Sequence, residues 1–176
     1  MDEFKQPQVK GGIATKTAYL GLFLALAILM GYVEAILPVQ MPVPGMKLGL
    51  PNLVIAGILY MYSFREALVI SAVRVVVIGF LFGNMFSIAY GLPGAVLSLC
   101  VMAALKRTHF FGIIGVSAAG GVTHNAAQAA VAYILVKGFP IRWYLPVLML
   151  AGLLAGVLIG IADALILPRI HPSKEY

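Results

Sequence analysis

Charge is what this sequence most lacks. Only 10% of its 176 residues are Asp, Glu, Lys or Arg, against 62% hydrophobic residues, where a soluble domain carries about a quarter charged. A water-soluble fold of this length has no interior large enough to hide so much apolar surface, so the solvent implied is a lipid bilayer. Cysteine is nearly absent too. The single Cys100 excludes an internal disulfide framework and any multi-cysteine metal or iron–sulfur site, and its place in an apolar run reads as a packed thiol. The six acidic residues are scattered, with no Asp-rich cluster to hold magnesium against a diphosphate. No G-x-x-x-x-G-K-[ST] loop is present for the phosphates of ATP, nor any Ser/His/Asp or metal-ligand spacing. These absences argue against an enzyme, a metal site or a bound cofactor. The formal charge of +6 does not point to nucleic acid, because the basic residues gather at the ends of apolar segments and there encode topology. A cleavable signal peptide is not expected, since the first apolar stretch is too long and lacks a clear small-x-small site.

What is present is a succession of apolar runs, with a mean hydropathy of +1.02. A helix needs roughly 20 residues to cross the hydrocarbon core. The runs at 17–37, 51–63, 67–82, 85–105, 110–136 and 144–167 predict an all-α, compact bundle of about six transmembrane helices. Residues 1–16 form a lead-in, 17–168 the membrane domain and 169–176 a tail. Five or seven spans stay open, because the second run is short. Between the first two lies PVQMPVPGMKLGLPN, with four prolines, too broken for a helix and expected as an ordered re-entrant or capping loop. Ser63–Glu66 is expected as a tight turn, Pro93 as a kink site and Pro168 as the close of the last span. With alternate connections on one side, Lys5, Lys10, Lys16, Arg65, Lys106, Arg107, Arg169 and Lys174 fall together, and only Lys47, Lys137 and Arg142 fall opposite. That bias places both termini in the cytoplasm.

Two stripes of small residues suggest packed faces. Gly152, Gly156 and Gly160 follow one another at i, i+4 and i+8, which lets a neighbouring backbone approach closely; packing inside the bundle is preferred to packing on another subunit. Ala14, Ala18, Gly21 and Ala25 fall within about 60° of one another on the first helix, either for intramolecular packing or as a docking face for another membrane protein.

Polar residues at membrane depth are costly unless they face the bundle interior or a wet cavity. In the fifth span Ser117, Gly121, His124, Asn125 and Gln128 share about a 100° arc. They contact a ligand or bond neighbouring helices. Arg74, in the middle of the third span, is a clamp onto a carboxylate or an anion-binding group, because its fork matches carboxylate and phosphate. Glu34 and Asp163 are the acids in other predicted spans. Lys47 and Asn52, flanking the proline-rich loop, and Asn84, at the outer end of the third span, are candidates to close an outward-opening cavity.

The stretches MPVPGMKLGLPNLV, EALVISAVRVVVIGFLFGN and GVTHNAAQ together resemble the bacterial Gx transporter family, also described as heptaprenyl diphosphate synthase component I. The resemblance runs from about Lys16 to Pro168. Members are similar to the S components of energy-coupling-factor (ECF) transporters, six-helix proteins that capture a vitamin-like molecule from outside and dock on a T subunit. It implies a multi-pass protein of the bacterial cell membrane, with Gly21 and Ala25, together with Ala14 and Ala18, as the docking stripe. Gly21 departs from the usual pair of alanines. It also implies that the proline-rich loop is a lid and that His124, Asn125 and Gln128 line the pocket. The expected function is therefore capture of a vitamin-, flavin-, quinone-precursor- or isoprenoid-like ligand, with separate T-type and ATPase subunits supplying energy. The alternative is a non-catalytic membrane component of a polyprenyl diphosphate synthase. A redox or scaffold role has little support, His124 being the sole histidine in the predicted spans.

Overall fold

The computed structural model describes residues 12–36, 49–135 and 141–170, apart from the side chains of Ile141 and Arg142. Lys47, Lys137, Arg142 and most of the proline-rich loop lie outside what is described. Six α-helices, and no strand, occur among the described residues: α1 (Ile13–Ile36), α2 (Leu50–Met61), α3 (Phe64–Phe82), α4 (Met85–Thr108), α5 (Ile113–Leu135) and α6 (Ile141–Ile170).

Local chemistry sets the boundaries. Pro51 sits in the first turn of α2, where its missing N–H is no loss. Ser63 precedes α3 in extended conformation and its hydroxyl donates to the Glu66 carboxylate, the Ser-x-x-Glu spacing of a capping box. The turn expected over Ser63–Glu66 is thus already helix from Phe64 onward. The Asn84 side chain accepts from the Ser87 N–H at 2.9 Å and starts α4, and His109 ends it in the left-handed region at φ 53°. Pro93 is accommodated inside α4. Pro168 does not close α6, which continues to Ile170. A proline disturbs the turn before it and leaves the residues after it free to stay helical.

α5 packs most extensively on α6 and then on α4; α3 packs on α4, α1 on α2 and α3, and α2 also reaches α6. α2, the shortest helix, lies in the centre of the bundle. Nine of its twelve residues are buried, as expected for a helix that is apolar all round. Its Ile58 shares one core with Leu99, Val116 and Leu167 of α4, α5 and α6. The exterior is as apolar as the interior, with Leu22, Leu29, Phe80, Leu97, Leu158 and Leu165 all exposed. A surface of this kind requires lipid rather than water. α1, α4 and Trp143–Ile170 of α6 are long and apolar enough to cross a membrane.

The α5–α6 contact brings backbone against backbone. A Cβ on Gly121 would collide with the Gly152 carbonyl, and one on Gly156 would lie 2.5 Å from the Ser117 oxygen. Gly152 and Gly160 are equally tight, with a Cβ 2.5 Å from the Gly121 oxygen and 2.6 Å from Ile114 Cα respectively. At the end of the bundle where α1 and α3 begin, Lys16 pairs with Glu66 at 2.5 Å. Burial alone would raise the Glu66 pKa, but the Lys16 ammonium and the capping donors hold it below the ordinary carboxylate value.

Candidate functional site

A cavity of about 70 Å³ lies inside the bundle, and all six helices contribute to its wall. α5 supplies the longest polar stretch. Ser117, Gly121, His124, Asn125 and Gln128 all line it, because steps of three and four residues return to one helix face. α4 yields room for them at Gly94, where a Cβ would stand 2.9 Å from Gln128 Cγ and 3.3 Å from His124 Cε1. Two polar groups of the wall, one on α5 and one on α4, are engaged in holding helices together. Asn125 donates to the Leu148 carbonyl of α6 at 2.8 Å, and Ser98 of α4 donates to the Gly120 carbonyl of α5 at 2.8 Å. His124 and Gln128 are half-buried and present polar atoms to the cavity wall.

The opposite wall carries the charge. Arg74 of α3 is 6% exposed and donates from Nη2 to Asn52 Oδ1 of α2 at 2.5 Å. Its Nε has no partner among the described residues. Glu34 of α1 acts on the Arg74 charge through space and accepts the Gly49 N–H at 2.6 Å. Gly49 itself adopts φ 77° and accepts from the Asn52 N–H at 2.7 Å. Only glycine takes this backbone without strain, and a Cβ there would sit 3.1 Å from Asn52 Nδ2. One glycine therefore orients both residues that face Arg74. The direct hydrogen bond of Arg74 goes to an amide and not to a carboxylate. Asp163 lies elsewhere, buried at the α2–α6 contact beside Gly57 and Leu167.

Of the residues singled out in the sequence, Glu34, Asn52, Arg74, His124, Asn125 and Gln128 meet at this cavity. Asn84 does not; it is spent on capping α4. Lys47 lies outside the described residues. Ala14, Ala18, Gly21 and Ala25 are exposed along α1, and a Cβ on Gly21 would touch nothing within 4 Å. Gly152 and Gly156 line the cavity as well as the α5–α6 contact. Sequence reasoning missed Gly49, Gly94, Ser98 and Ser71, the last a buried residue of α3 in the cavity wall. Gly49 had a signal, a glycine standing just before a proline-started helix. Ser71 and Ser98 had none, since serine is unremarkable in an apolar run.

The chemistry open to this site is recognition. Arg74 is a cation with one donor unpartnered among the described residues, Gln128 and His124 offer both donors and acceptors, and the volume suits a carboxylate-sized group or a few waters. No group of three or more His, Cys, Asp or Glu able to hold a metal occurs among the described residues. Comparison with curated proteins and with solved structures gives no match for the chain. The model of one family does match, over residues 23–166, and on that match this chain belongs to the heptaprenyl diphosphate synthase component I family.

Proposed function

We propose that this chain is a membrane subunit that binds a small molecule inside a six-span bundle and passes it across the bilayer, drawing energy from separate ATPase and T-type subunits. The observation that carries the proposal is the convergence of Glu34, Asn52, Arg74, His124, Asn125 and Gln128 on one interior cavity. Polar groups at such depth are retained for a reason, and helix-to-helix bonding accounts for Asn125 but leaves the Arg74 Nε without a partner among the described residues. The ligand's anionic head, a carboxylate or phosphate, bonds to Arg74 and is read by His124 and Gln128. Its apolar remainder is vitamin-, flavin-, quinone-precursor- or isoprenoid-like. Ala14, Ala18, Gly21 and Ala25, exposed on α1, form the face for the T-type subunit, in the manner of an ECF S component. Both termini face the cytoplasm of a bacterial cell.

Mass spectrometry of small molecules that co-purify with the protein identifies the ligand. Its binding then falls on the order of tenfold in Arg74→Lys, which keeps the charge but loses the fork. If no molecule co-purifies, and His124→Ala with Gln128→Ala leaves uptake by cells unchanged, the reading fails. Family membership favours a second reading, in which the chain is a non-catalytic membrane component that supports a separate prenyl diphosphate synthase. There, deletion of this chain abolishes prenyltransferase activity in a soluble partner and leaves uptake untouched.

A further inference from the structure

The bundle has a second concavity, separate from the interior cavity, where the α2–α3 turn meets the last turn of α4. Its volume is about 780 Å³, within the range of small-molecule sites. Leu59, Phe64 and Ala103 give it an apolar side, while Arg65, Lys106, Arg107 and His109 bring positive charge and donors. Among the described residues the single acid lining it is Glu66, whose carboxylate is already engaged by Lys16 and the Ser63 hydroxyl. Lys106 is built into the wall: its ammonium donates to the Leu59 carbonyl at 3.0 Å and lies 4.6 Å from the centre of the Tyr60 ring. Arg65 and Arg107 are exposed and make no hydrogen bond or ion pair among the described residues.

Membrane topology explains why basic residues gather at one end of a bundle. It does not explain why arginines from two helices flank one cleft that has an apolar wall beside them. Guanidinium forks match the oxygens of phosphate in bidentate geometry, and here Arg65 and Arg107 line one cleft together with Lys106. We propose that this cleft binds the phosphate or diphosphate head of an amphipathic molecule, with Arg65 and Arg107 on the phosphate oxygens. The side formed by Phe64 and Ala103, both partly exposed, receives the start of its hydrocarbon chain. An anionic membrane lipid and a water-soluble diphosphate both offer this chemistry. The inference does not depend on what the interior cavity holds.

The test uses the full chain in nanodiscs and follows its thermal unfolding midpoint. One arm compares phosphatidylcholine discs with and without phosphatidylglycerol; the other titrates inorganic diphosphate into the neutral discs. The wild type is stabilised in at least one arm, and added salt weakens the effect. A response to phosphatidylglycerol alone assigns the site to lipid headgroups, and a response to diphosphate alone assigns it to a soluble ligand. Arg65→Gln with Arg107→Gln weakens the response on the order of tenfold. Arg169→Gln is the control, because Arg169 lies at the same end but outside the cleft, and it leaves the response intact. Where the double glutamine variant does not fold, Arg65→Lys with Arg107→Lys keeps the charge, loses the forks and shows a smaller loss. Stabilisation in neither arm, wild-type binding in the double variants, or an equal loss in Arg169→Gln overturns the proposal. So does a double variant whose only defect is lost binding of an acidic protein partner.

Discussion

Gly156→Ala tests the central packing claim most directly. The new Cβ would lie 2.5 Å from the Ser117 oxygen and 2.8 Å from Ala118 Cα, where ordinary contact begins at 3.4 Å. Both neighbours are backbone, so no rotamer change relieves the clash, and α5 and α6 must separate locally by about 0.9 Å, the difference between 3.4 and 2.5 Å. A gap of that size forfeits roughly a quarter to a half of each dispersion contact along the interface. Overpacking of this kind costs about 1–3 kcal/mol. The upper part of that range applies here, because helices in lipid associate through close packing, without a hydrophobic drive to compensate. Gly21→Ala is the matched control: nothing lies within 4 Å of its added methyl, and alanine favours the helix by up to about 1 kcal/mol. Unfolding followed in one detergent should show Gly156→Ala lowered on the order of 5 °C and Gly21→Ala unchanged or raised. Equal behaviour of the two variants would refute the reasoning, because it would mean that α5 and α6 are not in backbone contact at this level.

Three further outcomes are expected. Gly49→Ala forces an L residue to φ 77° and crowds Asn52, costing about 1–2 kcal/mol; it also loosens the Asn52–Arg74 bond, so a ligand assay should show weaker binding alongside the lowered midpoint. Asn125→Ala removes the 2.8 Å bond to the Leu148 carbonyl and lowers stability in the absence of ligand by about 0.6 kcal/mol, the usual worth of such bonds in a bilayer; no change without ligand would reassign Asn125 wholly to binding. The Glu66 carboxyl is held below its ordinary value of 4.5, so its pairing stabilises the fold at pH above that value. The contribution disappears as pH falls through the lowered pKa. An acid titration of unfolding midpoints should show Lys16→Ala, worth less than about 1 kcal/mol for so exposed a pair, converging on the wild type at low pH.

The sequence by itself determined the environment and the elements. Scarce charge and long apolar runs require lipid, and the runs between Pro38, Ser63, Asn84 and Phe110 place helices close to where they occur. It also determined that His124, Asn125 and Gln128 share a face, because the 3.6-residue repeat is a property of the helix alone. Its errors lay at helix ends, where Ser63–Glu66 and Pro168 carry turn chemistry that a helix also tolerates, and at Cys100, expected as a packed thiol but exposed on α4. Which faces meet is a different kind of question. In a soluble protein the polar side of a helix marks its exterior, but here α3, α4 and α6 carry only scattered polar residues in long apolar runs, and composition leaves their orientation undecided. Only the tertiary structure put α2 at the centre, set Gly121 against Gly152 and separated the Asn84 cap from the cavity. It also gave Arg74 an amide partner in place of a carboxylate. Those outcomes follow from how closely backbones can approach and from which buried donors find acceptors. Such constraints act between segments far apart in the chain, and no local pattern records them.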